Sequence, residues 1–164
     1  MNTADLIDQY AAGPEKLSLG IRGLTREDLL TAPAADAGPE LGKWSIQQVV
    51  MHMCDSEQCY ADRMKRVIAE ENPILQAYDE NRWAENLRYE DQDAQRAIEL
   101  INLLRMQMAV ILRRTPESAF TRAGQHTERG KVTLQNLLET SVKHLEHHLR
   151  FIHAKRAAMG KEMW

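Results

Sequence analysis

Apolar residues recur every three or four positions along long stretches of this chain, and that period belongs to helices that bury one face. Ile46, Val49, Val50, Met53, Tyr60, Met64 and Val67 form one stripe. Ala94, Ile98, Ile101, Leu104, Met108 and Ile111 form a second, and Leu134, Leu138, Ser141, Leu145 and Ile152 a third. Strand-like alternation is scarce and aromatics are only 5% of residues, so helix formers dominate. The pattern predicts four long helices. The first runs from about Thr3 to Gly23, with a kink or break at Gly13-Pro14. The second starts at Ser45, an N-cap with Gln48 in capping-box spacing and Trp44 just outside it, and stops at Asn72-Pro73. The third spans about Asp91 to Arg114, and the fourth runs from just after Thr133, with Asn136 as an early partner, to about Met159. Thr25 and Asp28 cap a short turn, and residues 31–43 read as loop. The mixed segment after Pro73 carries a short helix near Asp79 to Asn86. The stretch from Glu117 to Val132 reads as a polar, flexible loop with His126 in solvent. The expectation is all-α, one domain over residues 1–164, folded as an up-down-type four-helix bundle.

The charge balance excludes several functions. A net charge of −3, with signs interleaved, is not the basic surface that nucleic acid requires. No apolar run approaches the roughly 18 residues of a membrane span. The first ten residues have no signal-peptide pattern, so a soluble, cytoplasmic protein is expected. Cys54 and Cys59 lie five apart on one helix, on different faces, and cannot pair with each other.

Histidine is unevenly distributed. Four of the six fall within "VKHLEHHLRFIH": His144, His147, His148 and His153. At 100° per residue, His144 and His148 stack on one side of the last helix and reach inward. His147 faces solvent and His153 lies on the opposite flank. Imidazoles one turn apart can chelate one divalent ion through ring nitrogens, but a third ligand is required. His52 on the second helix lies on the flank of its stripe and is the evident donor. Glu146 stands two residues after His144, which fits neither H-E-x-x-H nor its inverse, and is not assigned as a base. Asp55 and Glu57 read as helix-surface carboxylates. Tyr78, Asp79 and Trp83 either pack within their loop or cover the cleft, with Tyr78 and Trp83 as walls and Asp79 as an acid, base or orienting group.

Three segments together, "GKWSIQQVVMHMCDSE", "NPILQAYDENRWAE" and "TLQNLLETSVKHLEHHLRFI", resemble the DinB-like superfamily, which includes YfiT-type metal-dependent hydrolases and bacterial thiol S-transferases. The resemblance spans nearly the whole chain. It implies a four-helix bundle, often a homodimer, with a three-histidine divalent metal site: here His52, His144 and His148. Zinc or nickel suits imidazole ligands, with iron or manganese as alternatives. The resemblance favours transfer of a low-molecular-weight thiol to an electrophile, in detoxification or stress response. Hydrolysis by metal-bound water and a non-catalytic, metal-stabilised interaction protein are the alternatives.

Overall fold

The computed structural model describes residues 2–162. Four long helices carry the fold: α1 (Thr3–Ile21), α3 (Ile46–Ala69), α5 (Ala94–Arg114) and α6 (Leu134–Ala158). Two short helices, α2 (Arg26–Leu30) and α4 (Glu80–Asn86), lie in the connections. The helix starts follow from capping. Thr25 with Asp28, Ser45 with Gln48 and Thr133 with Asn136 all form reciprocal boxes that satisfy orphan backbone N–H groups.

The expected four-helix bundle is the observed one, and its order around the axis is α1–α5–α3–α6. Helices adjacent in sequence, α1 with α3 and α5 with α6, sit on the diagonals. Gly13 meets Leu145 and Gly20 meets Ile152, so α1 and α6 run parallel. Asp8 pairs with Arg113, and the Tyr10 carbonyl with Arg105, so α1 and α5 are antiparallel. Gln47 reaches Gln92 and Lys65 reaches Gln107, so α3 and α5 run together. The directions are therefore up, down, down, up. The 24-residue passage from Glu70 to Asp93 makes this possible by returning the chain to the end where α3 began.

The structure corrects three local expectations. Helix α1 passes through Gly13-Pro14 without a break. Pro14 has no N–H for the carbonyl of Tyr10, and Arg105 Nη1 donates to that oxygen instead at 3.1 Å. Gly13 lets the guanidinium in, since a Cβ there would stand 2.4 Å from Nη1. The second correction is the stretch after Glu117, which is not a flexible loop. A 3-10 turn (Glu117–Thr121) leads into a hairpin of β2 (Ala123–His126) and β3 (Gly130–Thr133), and β1 (Ile74–Leu75) adds to β2 in parallel. His126 is 4% exposed, not solvated. Its Nδ1 accepts the N–H groups of Glu128 and Arg129, which fixes the hairpin turn. Strands this short carry too little alternation to register in a sequence.

The apolar core falls into two clusters with a polar layer between them. Tyr10, Glu57, Arg105 and Ser141 make up this layer, each at most 3% exposed. Glu57, expected on the surface, is thus buried. Its Oε1 accepts from the Tyr10 hydroxyl, and its Oε2 accepts from Arg105 Nε at 2.8 Å and Ser141 Oγ at 3.2 Å. Arg105 Nη2 also donates to the Ser141 carbonyl at 3.2 Å. All four long helices meet at this one charge pair.

Candidate metal centre

The polar layer sets the register of α3 against α6. Glu57 lies five residues after His52, and Ser141 three before His144, so the link between Glu57 and Ser141 holds the two histidine-bearing turns side by side. His52, His144 and His148 come together there, with one ligand atom of each within 4.8 Å of the others. His52 Nε2 and His148 Nε2 each lie 3.1 Å from His144 Nε2. Donors held at about 2.0–2.1 Å from one ion, at angles of about 90–110°, stand roughly 2.9–3.4 Å apart. The spacing therefore fits one shared ion. His147 is exposed, as expected, and so is His153.

The protonation states agree with a ligand role. Burial pushes His52 down to about 4. His144 falls to about 3 and His148 to about 2, by burial first and then by neighbouring imidazoles. All three are neutral at pH 7 and offer lone pairs, the form a metal needs. The buried Nδ1 atoms of His52 and His148 have no hydrogen-bond partner among the described residues, so none of these fixes either tautomer. With their Nδ1 atoms carrying the N–H, the three rings would turn convergent Nε2 lone pairs on one point, the arrangement a cation site needs.

These shifts have a signed consequence. Each folded-state value lies below the ordinary 6.5 of histidine, so the unfolded chain binds more protons as pH falls below about 6.5. The stability these groups contribute is complete above that value and is lost on acidification towards their folded values. Chelator-treated protein is expected to show a urea midpoint that falls steadily between pH 7 and pH 5. A midpoint that rises over that window contradicts the neutral, buried triad.

His52 and His144 open onto a cavity of about 370 Å³ whose other walls include Ser56, Tyr60, Arg63, Tyr78, Glu80 and Arg129. Ser56 Oγ and the Tyr78 hydroxyl share a 2.5 Å hydrogen bond on its wall. Trp83 does not line this cavity: its ring packs behind Tyr78 at 4.4 Å and faces a neighbouring cavity. Asp79 lines the cavity, but its Oδ1 is committed as the N-cap of α4, accepting the N–H groups of Asn81 and Arg82 at 3.1 and 3.0 Å. The carboxylate aimed at the triad is Glu80, whose Oε2 lies 3.8 Å from His52 Nε2. The sequence carries a signal for this that went unread: an Asp before a helix is spent as a cap, which leaves the next acid free. Neither cysteine offers a nucleophile. Both are free, and burial pushes Cys54 up to about 11 and Cys59 in the same direction.

The sequence profile of the DinB superfamily matches residues 9–152. The chain belongs to the DinB superfamily. Bacillus subtilis YfiT, provisionally named a metal-dependent hydrolase, is 30% identical over 148 residues, 90% of this chain and 80% of its own. OB0782 of Oceanobacillus iheyensis, named in the same provisional way, is 31% identical over 71% of this chain and 67% of its own. The solved structure of YfiT, described as a probable metal-dependent hydrolase with an unusual four-helix bundle topology, superposes with a TM-score of 0.87 at 28% identity, covering 96% of this chain and 87% of that one. A mycothiol-dependent maleylpyruvate isomerase shares the fold at a TM-score of 0.69 and 14% identity, over 91% of this DinB-superfamily chain and 60% of that one. Among the described residues no helix is long and apolar enough to cross a membrane.

Proposed function

We propose that this DinB-superfamily protein is a divalent-metal-dependent enzyme that activates a small nucleophile beside the three histidines. The observation that carries this reading is the convergence of three neutral imidazole Nε2 atoms, with His52 and His144 on the wall of a polar cavity. His52, His144 and His148 would hold the ion, and zinc or nickel suits these donors best. When bound, the ion supplies Lewis acidity that lowers the pKa of a thiol or of water. Glu80 Oε2 is placed to take the nucleophile's proton, and its exposed carboxylate can pass that proton to solvent. Arg63 and Arg129 give the cavity a cationic side suited to a carboxylate.

The first choice of nucleophile is a low-molecular-weight thiol, transferred to an electrophile. Carboxylates, common on such thiols, would find the two guanidiniums. The second reading is hydrolysis, favoured by the proximity of Glu80 to the triad. Incubating metal-loaded protein with a thiol panel and monochlorobimane tests the first reading. Thiol-free cleavage of esters or amides supports the second. Neither reaction in the metal-loaded protein would favour a non-catalytic, metal-stabilised protein. Under either enzymatic reading, Glu80→Gln is expected to lower kcat by about 100-fold with metal content unchanged. An unaltered kcat removes Glu80 from the reaction.

We also propose that two copies pair through α5. Leu100, Leu103, Met106 and Val110 are exposed on this helix, and an antiparallel pairing would set Glu99 of one copy near Arg114 of the other. The protein is then expected to sediment as a dimer and Leu103→Glu as a monomer; a monomeric wild type contradicts this.

A further inference from the structure

A second cavity, of about 190 Å³, lies on the other side of the triad. Its walls are apolar and aromatic, from Trp44, Val49 and Phe151, with His148 and Glu80 on the side of the metal centre. His52 and His144 face the polar cavity and His148 this one, and Glu80 borders both. The centre therefore has two approaches of opposite character.

The apolar approach holds a buried cation. Lys155 lines this cavity yet is only 4% exposed. Its ammonium donates to the Leu41 carbonyl and stands 5.2 Å from the centre of the Phe151 ring. Among the described residues no carboxylate forms an ion pair with it, although ten Lys or Arg pairs with carboxylates occur elsewhere. A buried ammonium without a counter-charge is costly to keep, and a neutral carbonyl occupies only one of its three donors. Burial pulls the group down to about 8, so at pH 7 it is still mainly charged. Lys155 lies seven residues after His148 on α6, about 10 Å along the axis. An anion on Lys155 would thus leave an apolar body running along Phe151 towards the histidines. Gly42, at φ 61°, lets the 41–44 loop close over Phe151, whose Cε1 would stand 3.4 Å from a Cβ there.

We propose that this cavity is a second binding site that takes a small carboxylic acid with an apolar body, its carboxylate on Lys155 and its other end towards the three histidines. As a statement about substrate this rests on the metal-dependent reading; as a statement about binding it does not. In that reading the polar cavity admits the nucleophile and the apolar one its partner, so the two reactants reach the centre from separate sides.

Calorimetric titration of chelator-treated protein with 3-phenylpropionate and with its uncharged analogue 3-phenylpropanol tests the binding. The acid should bind more tightly than the alcohol. Lys155→Met should weaken the acid by roughly 10-fold or more and leave the alcohol unchanged, whereas Phe151→Ala should weaken both. Equal affinities in the wild type, no saturable binding, or an acid affinity unchanged in Lys155→Met would overturn the proposal. Since the protein is metal-free in every titration, a failure of the metal site would appear in metal analysis and leave these affinities in place.

Discussion

Arg105→Met is expected to destabilise the protein by roughly 3–5 kcal/mol. The substitution keeps most of the side-chain volume and removes the charge. Glu57, 2% exposed, would then be a buried carboxylate with only hydroxyl partners. The Tyr10 carbonyl, left without a helical donor by Pro14, would lose its replacement as well. Burying an unpaired charge costs far more than loss of an ordinary hydrogen bond. Equilibrium urea unfolding of chelator-treated wild type and variant measures the difference. The double variant Glu57→Leu/Arg105→Met should recover part of it, since removing both charges ends the desolvation penalty. Recovery should stay incomplete, because the Tyr10 carbonyl still lacks a donor. A single-variant loss of under about 1 kcal/mol, the worth of an ordinary hydrogen bond, would mean that the layer does not hold the bundle.

The second large effect concerns the triad. His148→Ala leaves two imidazoles on two helices, and zinc affinity should fall by more than about 100-fold, beyond the cost of losing an outer-shell partner. His147→Ala should leave affinity unchanged, because that ring is exposed and packs against Phe151. The pair separates a built site from a histidine-rich surface: a surface that bound metal by composition alone would respond equally to both. The same contrast should appear in melting temperature, since ligand that binds only the folded state raises it by mass action.

Helix existence, the three capping boxes and the His144–His148 pair were legible in the sequence for one reason: each is a local pattern. A 3.6-residue period places Leu134, Leu138, Ser141, Leu145 and Ile152 on one face and His144 and His148 beside it, whatever the other helices do. The Glu57–Arg105 pair was not legible. The period of α3 does set Glu57 within the apolar stripe, four after Met53 and three before Tyr60, with Asp55 on the opposite face, but the partner that makes a buried charge tolerable comes from another helix and has no local signal. Helix direction was hidden for the same reason, being set by where long connections deliver the chain. His126 was misread because a four-residue strand has no usable period, and Asp79 because its value as a cap competes with its value as an acid. The unbroken α1 shows the limit of a local rule: Pro14 removes a hydrogen bond, and a guanidinium 91 residues away in sequence restores one.

Metal analysis of purified protein and of His52→Ala, each grown with zinc and nickel supplied, tests the central claim most directly. His52 supplies the only triad ligand from α3, so its loss should remove tight binding while the α6 pair remains. The account predicts one divalent ion per wild-type chain and almost none in the variant. A wild type without bound metal, or a variant carrying as much as the wild type, would contradict it.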